Sequence, residues 1–250
     1  MFKIFRFFGA LRFIWLVAVT FIFSMLAGSF LWTRYLNWNT DYYLMYLWGR
    51  VCTSTYGIKR IRLNHSTKQE VGIYVAPHSS FWDILILGSE LKGFFVSKAE
   101  VVKWPIVGLG AKFVRTVFID REKGVSALRA ISRSAEKIFS TGNSLIMFPE
   151  GTRSFEHMRP LKGGAFHIAM MTGKPIIPVM IYYNPREAAV PRIKGNFVFE
   201  LLKQSVKSWR IVATIEVLAP VKSTDFKNAE ELKTHVFDIM EKHYRQSRNQ

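Results

Sequence analysis

The sequence predicts an α/β domain with a mostly parallel or mixed sheet flanked by helices, preceded by an apolar two-helix membrane anchor. Two observations predict this fold class. Short apolar runs alternate with longer amphipathic runs from about residue 57 onward, as expected when strands alternate with helices. Near the N-terminus, 21 consecutive residues, 13–33, carry no charge. We therefore divide the 250-residue chain into an anchoring segment, 1–56, and an α/β domain, 57–250, which is large enough for one sizeable core.

The uncharged run 13–33 would be about 31 Å long as a helix, enough to cross the hydrocarbon core of a bilayer. It is apolar on every side, which argues against a buried helix of a soluble protein. Although small residues at 27–29 would suit a signal-peptide cleavage site, the run is long and aromatic for a signal peptide. The basic residues that precede it, Lys3, Arg6 and Arg12, favour a cytoplasmic N-terminus.

Residues 35–50 are rich in aromatic side chains with polar residues between them, a composition typical of a helix that lies among lipid headgroups. A single span would put the large domain on the side of the membrane away from a cytoplasmic N-terminus, whereas a re-entrant hairpin keeps both on the cytoplasmic side. We interpret residues 1 to about 52 as a monotopic two-helix anchor, with a single-pass segment as the alternative. The large domain is expected on the cytoplasmic face.

In the large domain, apolar runs bounded by turn residues predict strands, and amphipathic runs predict helices. The expected strands are 72–76, 93–97, 116–119, 144–148, 175–182, 196–202 and 210–218. The expected helices are 82–90, 104–112, 124–140, 163–172 and 228–245. One face of helix 124–140 carries Arg129, Arg133 and Lys137. We interpret this row as a solvated face, with a landing site for an acidic carrier protein or anionic lipid as the alternative.

The chain is strongly basic, with 35 Lys and Arg against 18 Asp and Glu and a net charge of +17. Such a surface attracts polyanions such as nucleic acid, anionic lipid, acidic carrier proteins or phosphorylated substrates. Because no nucleic-acid recognition module, P-loop or dinucleotide fingerprint is visible, we expect no nucleic-acid partner and no bound cofactor. The single cysteine, Cys52, excludes an internal disulfide framework and a multi-cysteine metal site. We predict no metal, and the oligomeric state stays open.

A loop between a predicted strand and a predicted helix contains His78, followed five residues later by Asp83. An imidazole oriented by a carboxylate is a typical general base. The same residues also fit an ordinary helix start, in which Ser80 caps the helix, Asp83 favours its first turn and His78 has no role. The pair alone therefore leaves both interpretations open.

Three cations, Lys98, Arg121 and Arg153, also follow predicted strands. If the strands are parallel, their carboxyl ends lie at one edge of the sheet, where open α/β sheets bind ligands. Arginine in particular presents a planar fork that suits phosphate. Each cation alone could form a surface ion pair, but one candidate base among three cations indicates a site for a phosphorylated acceptor.

The segment 148–154 adds further residues to the same edge. Gly151 lets the backbone turn tightly or approach a ligand closely. Thr152 adds a hydroxyl, and Glu150 could orient Arg153 or bond a substrate hydroxyl. An ordinary turn with a surface ion pair is the alternative for this segment.

Four segments together resemble, in order and spacing, the motifs of the glycerophosphate acyltransferase superfamily. They are His78–Asp83, which matches the H-x4-D motif, Phe118–Arg121, Phe148–Ser154, which matches the F-P-E-G-T-R-S motif, and Ile177–Val179. The length, the single α/β domain and the apolar N-terminus are most similar to those of the bacterial 1-acyl-sn-glycerol-3-phosphate acyltransferases. The resemblance covers about residues 70–220 and implies a glycerol-3-phosphate acyltransferase-like fold.

The resemblance implies that the protein transfers a fatty acyl group from acyl-CoA or acyl-carrier protein to the 2-hydroxyl of lysophosphatidic acid, a membrane lipid, giving phosphatidic acid. It implies that His78, in the loop, is the general base on that hydroxyl and that Asp83, in the first helical turn, orients its imidazole. The implied phosphate-binding residues are Lys98, Arg121 and Arg153. The implied further substrate-binding residues are Glu150, Gly151, Thr152 and Pro178. No cofactor is implied beyond the acyl donor as co-substrate.

Two alternatives remain open at this point. The acceptor could be another lysolipid, such as lyso-ornithine lipid, although Arg153 in its motif favours a phosphate monoester. The protein could also be a non-enzymatic basic peripheral lipid-binding protein, which would explain the charge and the anchor but not a His78–Asp83 pair among cations. A Ser-His-Asp hydrolase lacks its nucleophile because the chain has no Gly-x-Ser-x-Gly elbow. The preferred acyl-chain length and acyl donor stay open.

Overall fold

The structure is a computed structural model that describes residues 2–32, 38–64, 69–103, 108, 111–112, 116–120, 124–151, 158–186 and 210–248. The described helices are α1 (Phe2–Trp32), α2 (Trp38–Thr55), α3 (Trp82–Glu90), α4 (Gly124–Phe139), α5 (Gly164–Thr172) and α6 (Ala229–Arg248). The described strands are β1 (Ile58–Asn64), β2 (Ile73–Val75), β3 (Gly93–Lys98), β4 (Val117–Ile119), β5 (Ser144–Met147), β6 (Ile176–Asn184) and β7 (Ile211–Val217).

Among the described residues, the strands form one seven-stranded sheet in the order β1-β7-β6-β2-β5-β3-β4. Neighbouring strands are parallel except for β6 and β7, which are antiparallel. Strands β1 and β7 therefore run opposite to the other five. The carboxyl ends of β2, β5, β3 and β4, which are successive neighbours in the sheet, lie at one edge. The prediction of an α/β domain with a mixed sheet is confirmed.

Helices cover both faces of this sheet, which explains why its central strands are apolar throughout. All residues of β2 and β5 are buried. Along β6, odd-numbered residues from Ile177 to Tyr183 face a core shared with α1, α2 and α3, whereas Ile176 and Met180 face the core shared with α4, α5 and α6. The N-terminal helices therefore belong to the core on one face of the sheet.

Most elements lie where the sequence predicts them. Strands β2 to β7 coincide with predicted strands, and α3 spans the predicted 82–90. No strand was predicted over β1, and this omission was wrong. Strand β1 alternates apolar and basic residues because it is an edge strand whose arginines bond to the end of α3: Arg60 Nε lies 3.2 Å from Glu90 Oε1, and Arg62 donates to the Glu90 carbonyl. Predicted strand 196–202 and most of predicted helix 104–112 lie outside the described residues.

Residues of the predicted anchoring segment form helices α1 and α2, which are hydrogen-bonded to each other. Trp15 Nε1 donates to Thr55 Oγ1, and Trp48 Nε1 donates to Thr20 Oγ1, each at 3.1 Å. Within α1, the window Gly9–Leu26 has a mean hydropathy of 2.0 and is long and apolar enough to cross a membrane by length and composition. Its side chains are mostly not buried against the rest of the chain.

Helix α2 lies directly on α3, the helix that follows the loop 76–81, which contains His78 and is called the reactive loop from here on. The approach is close at Gly49, where an added Cβ would lie 2.5 Å from the Leu85 carbonyl oxygen and 3.1 Å from Ser89 Cβ. A Cβ in that position would collide with the α3 backbone, so glycine is required there by space rather than by backbone conformation. The second N-terminal helix is thus packed onto the helix that carries Asp83.

We expect Gly49→Ala to destabilise the protein by about 1 to 3 kcal/mol, because overpacking forces α2 away from α3. The melting temperature of the purified protein in detergent should fall by about 3 to 10 °C. The matched control is Gly164→Ala at the start of α5, where an added Cβ meets nothing within 4 Å. An unchanged melting temperature for Gly49→Ala would show that the two helices do not pack as closely as described.

Candidate active site

The predicted reactive loop connects the carboxyl end of β2 to the first turn of α3. The Ala76 N–H donates to the Met147 carbonyl at 3.1 Å, which extends the pairing of β2 with β5 beyond the strand itself. His78 follows two residues later, with 19% of its side chain exposed. The start of the loop is therefore hydrogen-bonded to the sheet, and the imidazole it carries is still accessible to solvent.

Asp83 is completely buried, and four groups donate hydrogen bonds to its carboxylate. Oδ2 accepts from His78 Nδ1 and from the backbone N–H groups of Ser79 and Ser80, each at 2.8 Å. Oδ1 accepts from the Tyr183 hydroxyl at 2.6 Å. A buried carboxylate is tolerated only when its oxygens are bonded in this way. Because an ionised carboxylate accepts only, His78 carries its proton on Nδ1 and leaves the Nε2 lone pair free.

The imidazole of His78 is also held across its face by Phe148, the residue directly after β5. Their ring centroids lie 4.3 Å apart at an interplanar angle of 23°, and Phe95 of β3 stacks on Phe148 with a centroid distance of 6.0 Å. Hydrogen bonding at Nδ1 and stacking across the ring together leave one orientation for the Nε2 atom. This arrangement is what a positioned general base requires.

Glu150 places a second carboxyl beside the pair, with only 3% of the residue exposed. The pKa of Glu150 is raised to about 7, chiefly by burial and also by the charge of Asp83, although backbone N–H groups of Arg159 and His78 and the charge of Arg159 lower it. Oε1 accepts from the Arg159 N–H at 3.3 Å. Oε2 is buried without a hydrogen-bond partner among the described residues. Near neutral pH this group can therefore donate or accept a hydrogen bond to a ligand.

We expect Glu150 to make the protein less stable as pH rises. The carboxyl ionises near 4.5 when unfolded and near 7 when folded, so between these values the folded state holds a proton that the unfolded state has released. Stability is then lost with rising pH over that window, by roughly 3 kcal/mol in total. Melting temperatures measured at about pH 5 and about pH 8 should differ less in Glu150→Gln than in the wild type.

Glu100→Gln is the matched control for that measurement, because Glu100 is exposed on a short 3₁₀ helix after β3. The melting temperature of Glu100→Gln should change between the two pH values by as much as that of the wild type. A Glu150→Gln variant that keeps the full wild-type difference between the two pH values would contradict the raised pKa of Glu150.

The remaining predicted residues are distributed as follows. Gly151 has a φ of 72°, a left-handed conformation that favours glycine, and its N–H donates to the Phe148 carbonyl at 3.1 Å. Lys98 is exposed at the carboxyl end of β3. Pro178 is buried in β6 opposite Val75 of β2. Arg121, Thr152 and Arg153 lie outside the described residues, so their predicted roles stay predictions.

Two side chains at this site were missed by sequence reasoning. Tyr183 is 100 residues away from Asp83 in sequence, and no local pattern marks one tyrosine of a buried strand as special. Phe148 belongs to a recognised motif, but its contact with His78 depends on β2 and β5 being neighbours. Only knowledge of the strand order could have revealed either contact.

The fold and the motifs at this edge of the sheet place the chain among the acyltransferases. A model of the family described as "Acyltransferase" matches residues 58–182, and the chain belongs to that family. It is therefore an acyltransferase, and the resemblance stated above is confirmed, as is the predicted class of enzyme.

Curated relatives and a solved structure agree with this assignment. The lyso-ornithine lipid O-acyltransferase of Pseudomonas aeruginosa is 31% identical over 174 residues, covering 68% of this chain and 67% of that protein. The 1-acyl-sn-glycerol-3-phosphate acyltransferase of Haemophilus influenzae is 27% identical over 175 residues, with the same coverage of 68% and 67%. The crystal structure of the 1-acyl-sn-glycerophosphate acyltransferase PlsC of Thermotoga maritima matches the fold with a TM-score of 0.73 at 22% identity, covering 100% of this chain and 99% of that chain.

Proposed function

We propose that the protein transfers a fatty acyl group from acyl-CoA or acyl-carrier protein to the sn-2 hydroxyl of 1-acyl-glycerol-3-phosphate, giving phosphatidic acid. The observation that carries this proposal is the hydrogen bond between His78 and the buried Asp83 at the carboxyl edge of the sheet. The relative from Haemophilus influenzae named for this reaction supports the choice of acceptor.

In the proposed reaction, His78 Nε2 removes the proton from the acceptor hydroxyl as its oxygen attacks the thioester carbonyl carbon. The negative charge of Asp83 stabilises the imidazolium that forms. When the tetrahedral intermediate collapses, the carbon–sulfur bond breaks, and the departing thiolate takes the proton from His78. The acyl group and one proton have then exchanged places, and no redox partner or metal is required.

Binding of the acceptor is assigned to the residues around this pair. Lys98, Arg121 and Arg153 follow three successive neighbouring strands, β3, β4 and β5, and we propose that they hold the acceptor phosphate. Glu150, whose Oε2 is buried without a hydrogen-bond partner among the described residues, would bond the glycerol part of the acceptor. The left-handed turn at Gly151 would bring the backbone close to the acceptor.

Thr152 and Pro178 complete the proposed acceptor site. Thr152 would supply a hydroxyl beside Gly151. Pro178 would set the course of β6 where that strand meets β2, because Pro178 is paired with Val75, the last residue before the reactive loop region. The proposed site thus draws on five neighbouring strands, β6, β2, β5, β3 and β4.

We further propose that α1 and α2 hold the protein on the cytoplasmic face of the membrane as a monotopic anchor. Large apolar side chains are exposed along both helices: Leu11, Ile14, Trp15, Phe21, Ile22, Met25 and Leu26 on α1, and Tyr43, Leu47 and Val51 on α2. Exposed apolar surface of this extent on two adjacent helices fits a lipid environment. An anchor packed on α3 would keep the site near the headgroups, where an amphiphilic acceptor lies.

A second candidate acceptor, lyso-ornithine lipid, is favoured by a specific observation. Two lyso-ornithine lipid O-acyltransferases, from Pseudomonas aeruginosa and Rhodobacter capsulatus, are 31% and 29% identical to this chain over 68% and 73% of its length. We rank this acceptor second because a zwitterionic headgroup has less need of three cations than a phosphate monoester has.

The test is a thiol-release assay on the full chain in detergent, with acyl-CoA or acyl-carrier protein as donor and several lysolipids as acceptors. We expect the highest kcat/KM with lysophosphatidic acid. We expect Arg153→Ala to raise the KM for lysophosphatidic acid about 10- to 100-fold, because a charge-assisted hydrogen bond is lost, with little change in the KM for the donor.

Arg129→Ala is the matched control, because Arg129 is an exposed cation on α4 and its loss changes the net charge equally. Its KM for lysophosphatidic acid, measured with acyl-CoA as donor, should equal that of the wild type. A higher kcat/KM with lyso-ornithine lipid than with lysophosphatidic acid would replace the first acceptor with the second. If Arg153→Ala raised the KM for lysophosphatidic acid and the KM for the acyl donor equally, the proposed role of Arg153 in binding the phosphate would be wrong.

A further inference from the structure

The hydroxyl of Tyr183 contacts the Asp83 carboxylate from the side that does not face His78. Tyr183 is 7% exposed, and its hydroxyl donates to Asp83 Oδ1 at 2.6 Å. The other three donors to Asp83 all bond to Oδ2. Of these four donors, Tyr183 is the one that bonds to Oδ1. The Ser80 side chain also bonds to the phenol, which links Tyr183 to the reactive loop.

Tyr183 is held by a different part of the fold from the loop that holds His78. Strand β6 pairs with β2 only over 176–178 and continues beyond the end of β2 paired with β7 over 179–184. Tyr183 lies in that extension, opposite Ala213 of β7, which is fully buried. A two-stranded ladder therefore fixes the phenol at the level of the reactive loop, independently of the loop itself.

The phenol of Tyr183 keeps its proton near neutral pH and remains a hydrogen-bond donor there. Burial, with the charge of Asp83, raises the pKa of Tyr183 well above its ordinary value, so the hydroxyl keeps its proton. A hydroxyl that donates to an anion takes up part of its charge and fixes the direction of its lone pairs.

We propose that Tyr183 is a positioning residue for the acyl transfer, whose hydroxyl orients the Asp83 carboxylate and sets the pH at which His78 starts to act as a base. This inference rests on the proposed role of His78. The hydrogen bond from the phenol stabilises the negative charge of Asp83, so the protonated His78–Asp83 pair releases its proton more easily. His78 can then act as a base at lower pH than it could if no phenol donated to Asp83.

The direction in which the pH–rate profile should move follows from treating His78 and Asp83 as one coupled pair. When a donor to an anion is removed, the coupled pair binds its proton more tightly, whichever of the two groups carries it. The acid side of the pH–rate profile must then move to higher pH. The ionisable groups on other elements that interact with Asp83 include Glu150 and Tyr183, and Glu150 is unchanged in the variants below.

Tyr183→Phe is the first variant, because it removes the hydroxyl and keeps the ring. We expect kcat/KM at neutral pH to fall about tenfold, and the acid side of the profile to move up by about one pH unit, as for loss of one hydrogen bond to a charged group. The KM for both substrates should stay within about twofold, since the phenol contacts neither. Mere loss of packing would not move the profile.

Tyr182→Phe is the matched control. Tyr182 is the neighbouring residue of β6, and its hydroxyl donates to Glu216 Oε2 at 3.3 Å and to the His243 carbonyl at 3.4 Å on the opposite face of the sheet. Tyr182→Phe removes a hydroxyl from the same strand as Tyr183→Phe does, but leaves the contacts of the His78–Asp83 pair unchanged. Its activity and pH profile should match the wild type.

Replacement of Tyr183 by 3,5-difluorotyrosine decides the matter if Tyr183→Phe does not fold. Fluorine makes the phenol a stronger donor without removing it, so the acid side of the profile should move to lower pH, opposite to the shift of Tyr183→Phe. The inference would be overturned if the acid side of the pH–rate profile moved in the same direction for Tyr183→Phe and for the difluorotyrosine protein. It would also be overturned if the profile of a folded variant did not move.

An NMR titration of the His78 ring protons separates failure of this inference from failure of the proposed function, because it requires no turnover. The signal is assigned by its absence in His78→Ala. If His78→Ala retains activity, the proposed function fails, whatever Tyr183 does. If His78→Ala is inactive and the His78 titration is identical in the wild type and Tyr183→Phe, the inference alone fails.

Discussion

His78→Ala should lower kcat for acyl transfer by about 10²- to 10⁴-fold, the usual contribution of a positioned general base. His78 is bonded through Nδ1 to a fully buried carboxylate at 2.8 Å, whereas His243 Nδ1 lies 3.4 Å from the partly exposed carboxylate of Glu216. The fold should survive, because Asp83 keeps the donors Ser79, Ser80 and Tyr183 after the imidazole is removed. The measurement is thiol release with lysophosphatidic acid, together with circular dichroism and flotation on vesicles.

His167→Ala is the control for this variant. His167 is an exposed histidine on α5, a helix that packs against the other face of the sheet. His167→Ala should be fully active. Activity of His78→Ala near that of the wild type would reject His78 as the base. Loss of vesicle binding in the same variant would mean that its inactivity has a structural cause.

Much of the fold could be predicted from the sequence because its signals are local. Helix α3 begins after Ser79 and Ser80 and most of its buried residues are apolar, so its bounds follow from residues next to each other in the chain. Strand β1 could not be predicted in the same way. Its basic residues are stabilised by Glu90, 30 residues later, and its place at the edge beside β7 depends on a contact with residues beyond position 210.

The site shows the same division between local and distant information. The contact of His78 with Asp83 was predictable, since five residues of loop and helix start suffice to form it. The donor to the other carboxylate oxygen was not, because Tyr183 reaches it only through the extension of β6 beyond β2. Strand-end cations such as Lys98 were predicted to lie at one edge, which the parallel order of β2, β5, β3 and β4 confirms for the strands themselves. Their contact with an acceptor phosphate stays a prediction.

Asp83→Asn should lower kcat by about 10²- to 10⁴-fold with little change in the fold. The amide has the same shape, its oxygen can accept from Ser79 and Ser80, and its NH₂ can donate to the phenol oxygen of Tyr183. What disappears is the charge that stabilises the imidazolium of His78. The melting temperature, the KM values and the pH dependence of kcat/KM measure these consequences separately, with Asp225→Asn at an exposed carboxylate as control.

The pH profile of Asp83→Asn should move in the direction opposite to that of Tyr183→Phe. Without the anion, His78 loses its proton more readily, so the acid side of the profile moves to lower pH while the maximum rate falls. Tyr183→Phe leaves the anion in place and removes a donor, so its profile moves to higher pH. If both profiles moved the same way, the two variants would be disturbing one shared geometry, and the charge of Asp83 would not be what makes His78 a base.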